Sequence, residues 1–114
     1  KSLLIAGYGD IARRAMPALG SRFEVRILSR SNGIDLDRPE SLTSLEPVDA
    51  VLHSAPPPQT GEIDTRTINL LAAFESRRIL PTRLVYISTS GVYGDCGGAL
   101  VDETRAVNPQ SARA

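Results

Sequence analysis

The feature that most constrains this chain is its opening, Ser2-Leu3-Leu4-Ile5-Ala6-Gly7-Tyr8-Gly9-Asp10-Ile11-Ala12. An apolar run of strand type meets a glycine turn, and the turn leads into a helical pattern. That is the start of a mononucleotide-binding β-α-β unit. Gly7 permits a tight turn. Gly9 removes a side chain where a pyrophosphate must come close to the backbone. Ala12 is small enough for the helix to pack onto the strand. The helix N-terminus offers free N–H groups and a positive dipole end to phosphate. The turn residues Gly7, Tyr8, Gly9, Asp10 and Ile11 are therefore candidate cofactor contacts.

The remaining pattern alternates strand and helix. The spacing predicts strands over Ser2–Ala6, Phe23–Leu28, Ala50–His53 and Arg83–Ser88, with a weak further strand around Ile34–Leu36. Helices are expected over Asp10–Leu19 and Glu62–Arg78, and a short helix or turn over Arg38–Leu45 with Pro39 at its start. Ile11, Ala12, Ala15, Met16 and Leu19 would form the apolar side of the first helix, and Ile63, Thr67, Leu70, Leu71 and Phe74 that of the second. Pro17 removes an N–H and should kink or shorten the last turn of the first helix. Gly20 is a natural stop for it. The run Leu84-Val85-Tyr86-Ile87 reads as a parallel strand covered on both faces. Beyond Ser90 the chain reads as loop. Alternation of this kind gives an α/β domain over residues 1–114, a three-layer Rossmann-type fold with a parallel sheet. Its ligand belongs at the carboxyl ends of the strands. There the loops 7–10, 29–31, 54–58 and 89–94 would meet, which adds Ser54, Ala55 and Pro56 to the candidate cofactor contacts.

The end of the second strand bears on the nucleotide. An NAD site ordinarily has an acidic residue there to accept from the ribose hydroxyls. Leu28-Ser29-Arg30-Ser31 has none. Arg30 can pair with a 2′-phosphate, and Ser29 or Ser31 can donate to it. NADP is thus expected over NAD. Asp35, followed by Leu36, either caps the adenine edge or is an ordinary turn aspartate.

Composition narrows the alternatives. The chain carries no net charge and only 4% aromatic residues. Of its 13 basic residues only Lys1 is lysine, and the arginines are scattered. Nucleic-acid binding is not expected, and neither is a membrane span or a metal site. One cysteine, Cys96, points to a reducing, cytoplasmic compartment and reads as an inert loop thiol. His53 reads as a packed, hydrogen-bonded histidine rather than a general base. Tyr93 either touches substrate or anchors its loop, and Asp102 and Glu103 read as solvated loop. The chain begins at Lys1 without Met and ends at Ala112-Arg113-Ala114. It reads as part of a longer polypeptide whose substrate-binding portion lies outside it. An open apolar sheet edge would leave room for a homo-oligomer.

Val85-Tyr86-Ile87-Ser88-Thr89-Ser90-Gly91-Val92-Tyr93-Gly94-Asp95 resembles a segment of the extended short-chain dehydrogenase/reductases, the NAD-dependent epimerase/dehydratase family. Asp49–Ala55, Thr67–Leu71, Asp102–Thr104 and Asn108–Ser111 resemble further segments of that family, in the same order. The resemblance implies an oxidoreductase, epimerase or dehydratase acting on a small hydroxyl or carbonyl substrate, including nucleotide sugars. It implies a catalytic hydroxyl at Thr89, with Ser90 adjacent. The sequence also departs from the family. Its turn is Gly7-x-Gly9-x-x-Ala12 rather than G-x-x-G-x-x-G. The family's catalytic tyrosine falls on Arg113, its asparagine on Ile63, and the lysine position lies beyond Ala114. Arginine stays protonated near neutral pH and cannot serve as the acid/base that tyrosine supplies. A non-catalytic NADP sensor or scaffold of the same fold is therefore the alternative. A methyltransferase is a weaker one, because that chemistry usually wants a carboxylate where Arg30 stands.

Overall fold

A computed structural model describes residues 1–114. Four strands form one parallel sheet: β1 (Ser2–Ala6), β2 (Glu24–Leu28), β3 (Ala50–His53) and β4 (Arg83–Tyr86), in the order β2-β1-β3-β4. Two helices, α1 (Asp10–Gly20) and α2 (Thr65–Ser76), connect them together with short 3-10 turns at Arg30–Asn32, Pro39–Ser44 and Ser90–Tyr93. β1 is central. It pairs with β2 from Ser2 opposite Glu24 to Ala6 opposite Leu28, and with β3 from Leu3 opposite Ala50 to Ala6 opposite His53.

Side chains alternate across β1, so the strand feeds two cores. Leu3 and Ile5 pack with Ala12 of α1, flanked by Met16, Leu19, Phe23 and Val25. Leu4 and Ala6 join Leu28, Val51, Leu70 and Phe74 on the α2 face, where Leu36, Leu42, Leu45 and Val48 complete the larger core. The result is the expected three-layer α/β fold. None of its helices is long and apolar enough to cross a membrane.

Several local expectations change. No strand forms at Ile34–Leu36. Asp35 accepts from the Asp37 N–H at 2.9 Å, and its own N–H donates to Ser41 Oγ at 2.9 Å. These bonds curl the segment and drive Leu36 into the core instead of into a ladder. α1 runs past Pro17 to Gly20, so it is not shortened. Pro17 faces solvent, where water can take the carbonyl that its missing N–H leaves free. Ile11 is 57% exposed and lies off the buried face of α1. α2 begins at Thr65 rather than Glu62, because the Asp64 side chain caps it by accepting the Thr67 N–H. It ends at Ser76, before Arg78, which adopts a left-handed backbone at φ 56°. Ile63 therefore precedes the helix and is exposed, as is Leu71.

β4 differs most from expectation. It ends at Tyr86, and all four of its residues are exposed, Val85 by 59%. Its apolar character is that of a covered strand, yet it is largely open to solvent, with Tyr86 packed edge-on against His53.

Candidate functional site

The glycine turn follows β1 directly. Gly7 has φ +89°, and a Cβ there would lie 2.5 Å from Ala55 N and 2.6 Å from Ala55 Cα. Gly7 is thus required twice: by its backbone conformation, and by the close passage of the loop after β3. That loop is tied to the turn by Ser54, whose hydroxyl donates to the Gly7 carbonyl at 2.6 Å. Gly9 forms the N-cap of α1 without a capping side chain, and a Cβ there would meet nothing within 4 Å. The helix N-terminus therefore faces open space, as a phosphate cradle needs. Ala12 is fully buried against Leu3 and Ile5, which brings the helix onto the strand.

Beside this turn lies a cavity of about 400 Å³ lined by Gly7, Tyr8, Leu28, Ser29, Arg30, Ser31, Ile34, Asp35, Leu36, Ala55, Pro56 and Arg66. It sits at the carboxyl ends of β1 and β2, where the sheet order reverses, since β1 is followed on one side by β2 and on the other by β3. Of the candidate cofactor contacts, Gly7, Tyr8, Arg30, Ser31, Asp35, Leu36, Ala55 and Pro56 border the cavity. Gly9, Asp10, Ile11 and Ser54 do not line it. Asp10 pairs with Arg14 at 2.9 Å on the exposed face of α1, and Ser54 spends its hydroxyl on Gly7.

Arg30 stands at the mouth of the cavity, its side chain 69% exposed. Its nearest carboxylates are Asp37 at 3.7 Å and Asp35 at 4.0 Å, both beyond hydrogen-bond length. The Ser29 and Ser31 hydroxyls lie 2.8 Å apart beside it. Asp35 is thus both a turn residue and a lining residue. Leu28, Ile34 and Arg66 complete the lining, although none of them belongs to a nucleotide-binding motif in the sequence. Arg66 could not be found from any local pattern, because what brings it to the cavity is a contact with Asp37, 29 residues away.

The expected catalytic positions fall elsewhere. Thr89 caps the turn at Ser90–Tyr93, its Oγ1 accepting the Gly91 N–H at 3.2 Å. Ser90 is exposed. Ile63 and Arg113 border a separate, smaller cavity together with Asp64 and Tyr86. Cys96 is half-buried in the loop, with its Sγ 3.6 Å from the Tyr93 carbonyl.

Between these two regions runs a polar chain that starts in the core at His53 and reaches the surface at Tyr86. His53, fully buried at the end of β3, lies 2.7 Å through Nε2 from Thr67 Oγ1. The Thr67 hydroxyl donates to Asp64 Oδ2 at 2.6 Å, and the Tyr86 hydroxyl donates to the same oxygen at 3.1 Å. Thr67 has one proton and gives it to Asp64, so His53 Nε2 must be the donor. That leaves Nδ1 as a buried lone pair without a hydrogen bond. Burial lowers the His53 pKa, against the opposing pull of the Asp64 carboxylate and the Ala6 carbonyl. Burial works to raise that of Asp64, but hydrogen bonds from Thr67 and Tyr86 outweigh it and leave the pKa lowered. Burial and then Asp64 raise the pKa of Tyr86, so this tyrosine is not poised as a base.

A pH prediction follows from the sign of the His53 shift. With the folded pKa below the unfolded value of about 6.5, the unfolded chain binds the proton first. Stability is then fully present above about pH 6.5 and falls as pH drops through the window between the two values. Thermal unfolding midpoints measured from pH 8 to pH 5 should decline, and His53→Gln should flatten that slope. An equal slope in His53→Gln would remove His53 as its source. Asp64 and Asp37, both lowered, add a separate loss at more acidic pH.

Solved structures share this architecture. One provisionally described as an NAD-dependent epimerase/dehydratase from Methylobacillus flagellatus is 22% identical, with a TM-score of 0.78 over 96% of this chain and 45% of that one. The Thermus thermophilus UDP-glucose 4-epimerase in complex with NAD is 24% identical, with a TM-score of 0.74 over 99% of this chain and 46% of that one. The chain has the epimerase/dehydratase fold. A conserved protein of unknown function from Silicibacter pomeroyi is 30% identical, with a TM-score of 0.69 over 98% of this chain and 44% of that one. The chain therefore spans less than half the length of these structures. No protein-family model and no curated protein matches the sequence. The likeness to the extended short-chain dehydrogenase/reductases, read from Val85–Asp95, is borne out in the fold.

Proposed function

We propose that residues 1–114 are the NADP-binding domain of an atypical epimerase/dehydratase-like oxidoreductase, working in a cytoplasmic compartment on a small hydroxyl- or carbonyl-bearing substrate of nucleotide-sugar type. The observation that carries this reading is the cavity of about 400 Å³ between the glycine turn and Arg30. Its shape and chemistry suit the adenosine end of a dinucleotide. Leu28, Ile34, Leu36 and Ala55 offer apolar walls, while Arg30 and one hydroxyl of the hydrogen-bonded Ser29–Ser31 pair offer donors. The Gly7–Gly9 turn and the uncapped start of α1 supply the place for the pyrophosphate. Open space over Gly9 and the backbone contact of Gly7 with Ala55 are what such a cradle requires.

The nicotinamide ring, when bound, accepts or donates a hydride. The protein's part is to bind and orient. The Thr89 oxygen is occupied as an acceptor by the Gly91 N–H, so its proton remains available to a substrate oxygen. Thr89 would in this way fix the substrate's hydroxyl or carbonyl, with the Ser90 hydroxyl beside it.

The decisive experiment titrates NADPH and NADH against the protein and against Arg30→Asp. NADPH should bind the native protein more tightly, and Arg30→Asp should weaken NADPH by about tenfold or more while sparing NADH. Equal binding of both cofactors, or an unchanged NADPH affinity in Arg30→Asp, would sink the NADP assignment. A second reading, a non-catalytic NADP sensor, is favoured by one observation. Arg113 and Ile63 stand where a tyrosine and an asparagine are expected, and the nearby Tyr86 has a raised pKa. Hydride transfer from NADPH to any carbonyl substrate would exclude it.

A further inference from the structure

Two arginines border the same cavity, and Asp37 lies between them, with Asp35 a second carboxylate 4.0 Å from Arg30. Arg66, only 16% exposed, holds Asp37 in a two-bond fork, Nε to Oδ1 at 2.8 Å and Nη2 to Oδ2 at 2.9 Å. Its remaining terminal nitrogen, Nη1, donates to the Pro56 carbonyl at 3.0 Å, which fixes the guanidinium against the loop after β3. Both oxygens of Asp37 are thus engaged by Arg66. Arg30 lies 3.7 Å from Oδ2, close enough to feel the charge but outside hydrogen-bond length. The hydrogen bonds from Arg66 hold the Asp37 carboxyl below the usual carboxylate range.

The geometry matters because a carboxylate and a phosphate would compete for Arg30. A free Asp37 could swing onto Arg30 and repel a 2′-phosphate by its charge. Forked to Arg66, Asp37 is neutralised and kept in place, and the donors of Arg30 stay unspent. We propose that Arg66 is a specificity-determining positioning residue, which sets the preference for a 2′-phosphorylated cofactor by sequestering Asp37 away from Arg30. The inference rests on the NADP reading above, and its test is built to fail separately from it.

The complete natural protein is titrated with NADPH and NADH in four forms: native, Arg66→Gln, Asp37→Asn and the double variant. Arg66→Gln releases the carboxylate and should weaken NADPH about tenfold, leaving NADH within about twofold. The double variant removes the released charge and should recover most of the NADPH affinity. A residue that served only to hold the cavity together would lose both cofactors alike and would not be rescued by Asp37→Asn. Either of those results overturns the inference. Should Arg66→Gln fail to fold, Asp37→Asn alone decides. It must hold or raise the NADPH-to-NADH affinity ratio, and a lowered ratio overturns the inference. A native protein that prefers NADPH, with Arg66→Gln unchanged, defeats the role of Arg66 alone. A native protein indifferent to the 2′-phosphate defeats the cofactor reading itself.

Discussion

Replacing Gly7 by alanine is expected to cost the fold about 3 kcal/mol or more, from a left-handed backbone and an overpacked contact together. The positive φ of +89° is a conformation that alanine resists. The added methyl would also press on backbone, Ala55 N at 2.5 Å and Cα at 2.6 Å, which cannot turn aside as a side chain can. Relief requires the loop after β3 to move, and that loop forms one wall of the cavity. Gly7→Ala should therefore lower the thermal midpoint and abolish dinucleotide binding together. Gly9→Ala is the informative companion. Its φ is −87°, and a Cβ there meets nothing within 4 Å, so stability should be retained. If the open space is where pyrophosphate lies, binding alone should fall. Calorimetry beside a cofactor titration separates the two. A stable Gly7→Ala would show that the loop can yield, and full binding by Gly9→Ala would move the phosphates elsewhere.

Phe74→Ala should be the most damaging core substitution, at about 3–5 kcal/mol. Phe74 is fully buried in the larger core, together with Leu70, where α2 meets the sheet and the Pro39–Ser44 turn. Its removal leaves a void that Leu42, Val51 and Leu70 cannot close without shifting the helix. A loss of that size approaches the whole stability of a small domain. Leu71→Ala, one residue along and 42% exposed, should cost far less. Chemical denaturation of both variants tests the assignment of faces on α2. Similar midpoints would mean that the helix buries a different side.

Those faces show where sequence reading succeeds and where it stops. β1 was legible because five residues of strand type run straight into Gly7, and the β1 bounds in the structure are the expected ones. α2 was legible as a helix, but its start was not. Ile63 keeps the apolar spacing, while the Asp64 side chain decides where the helix begins by capping the Thr67 N–H. Ile34–Leu36 carried strand-like residues, yet the bonds of Asp35 to Asp37 and Ser41 turn the chain instead. At the cavity, the glycine turn and Arg30 could be read locally. Arg66 could not, because its place depends on a partner distant in sequence. β4 was read as a covered strand because its composition is that of one, and composition cannot say whether the cover lies within the same residues.

The central place of β1 also has a consequence for how the domain comes together. β1 is the earliest of the four strands along the chain, yet its two neighbours arrive at different times during synthesis. β2 completes one edge once Leu28 has emerged, while the other edge waits for His53. Until then Leu4 and Ala6 have no β3 beside them, and the turn at Gly7 has no Ala55 to rest on. The β1-α1-β2 unit by itself thus supplies only part of the cavity's lining, and the wall formed by Ala55 and Pro56 depends on a later stretch of chain.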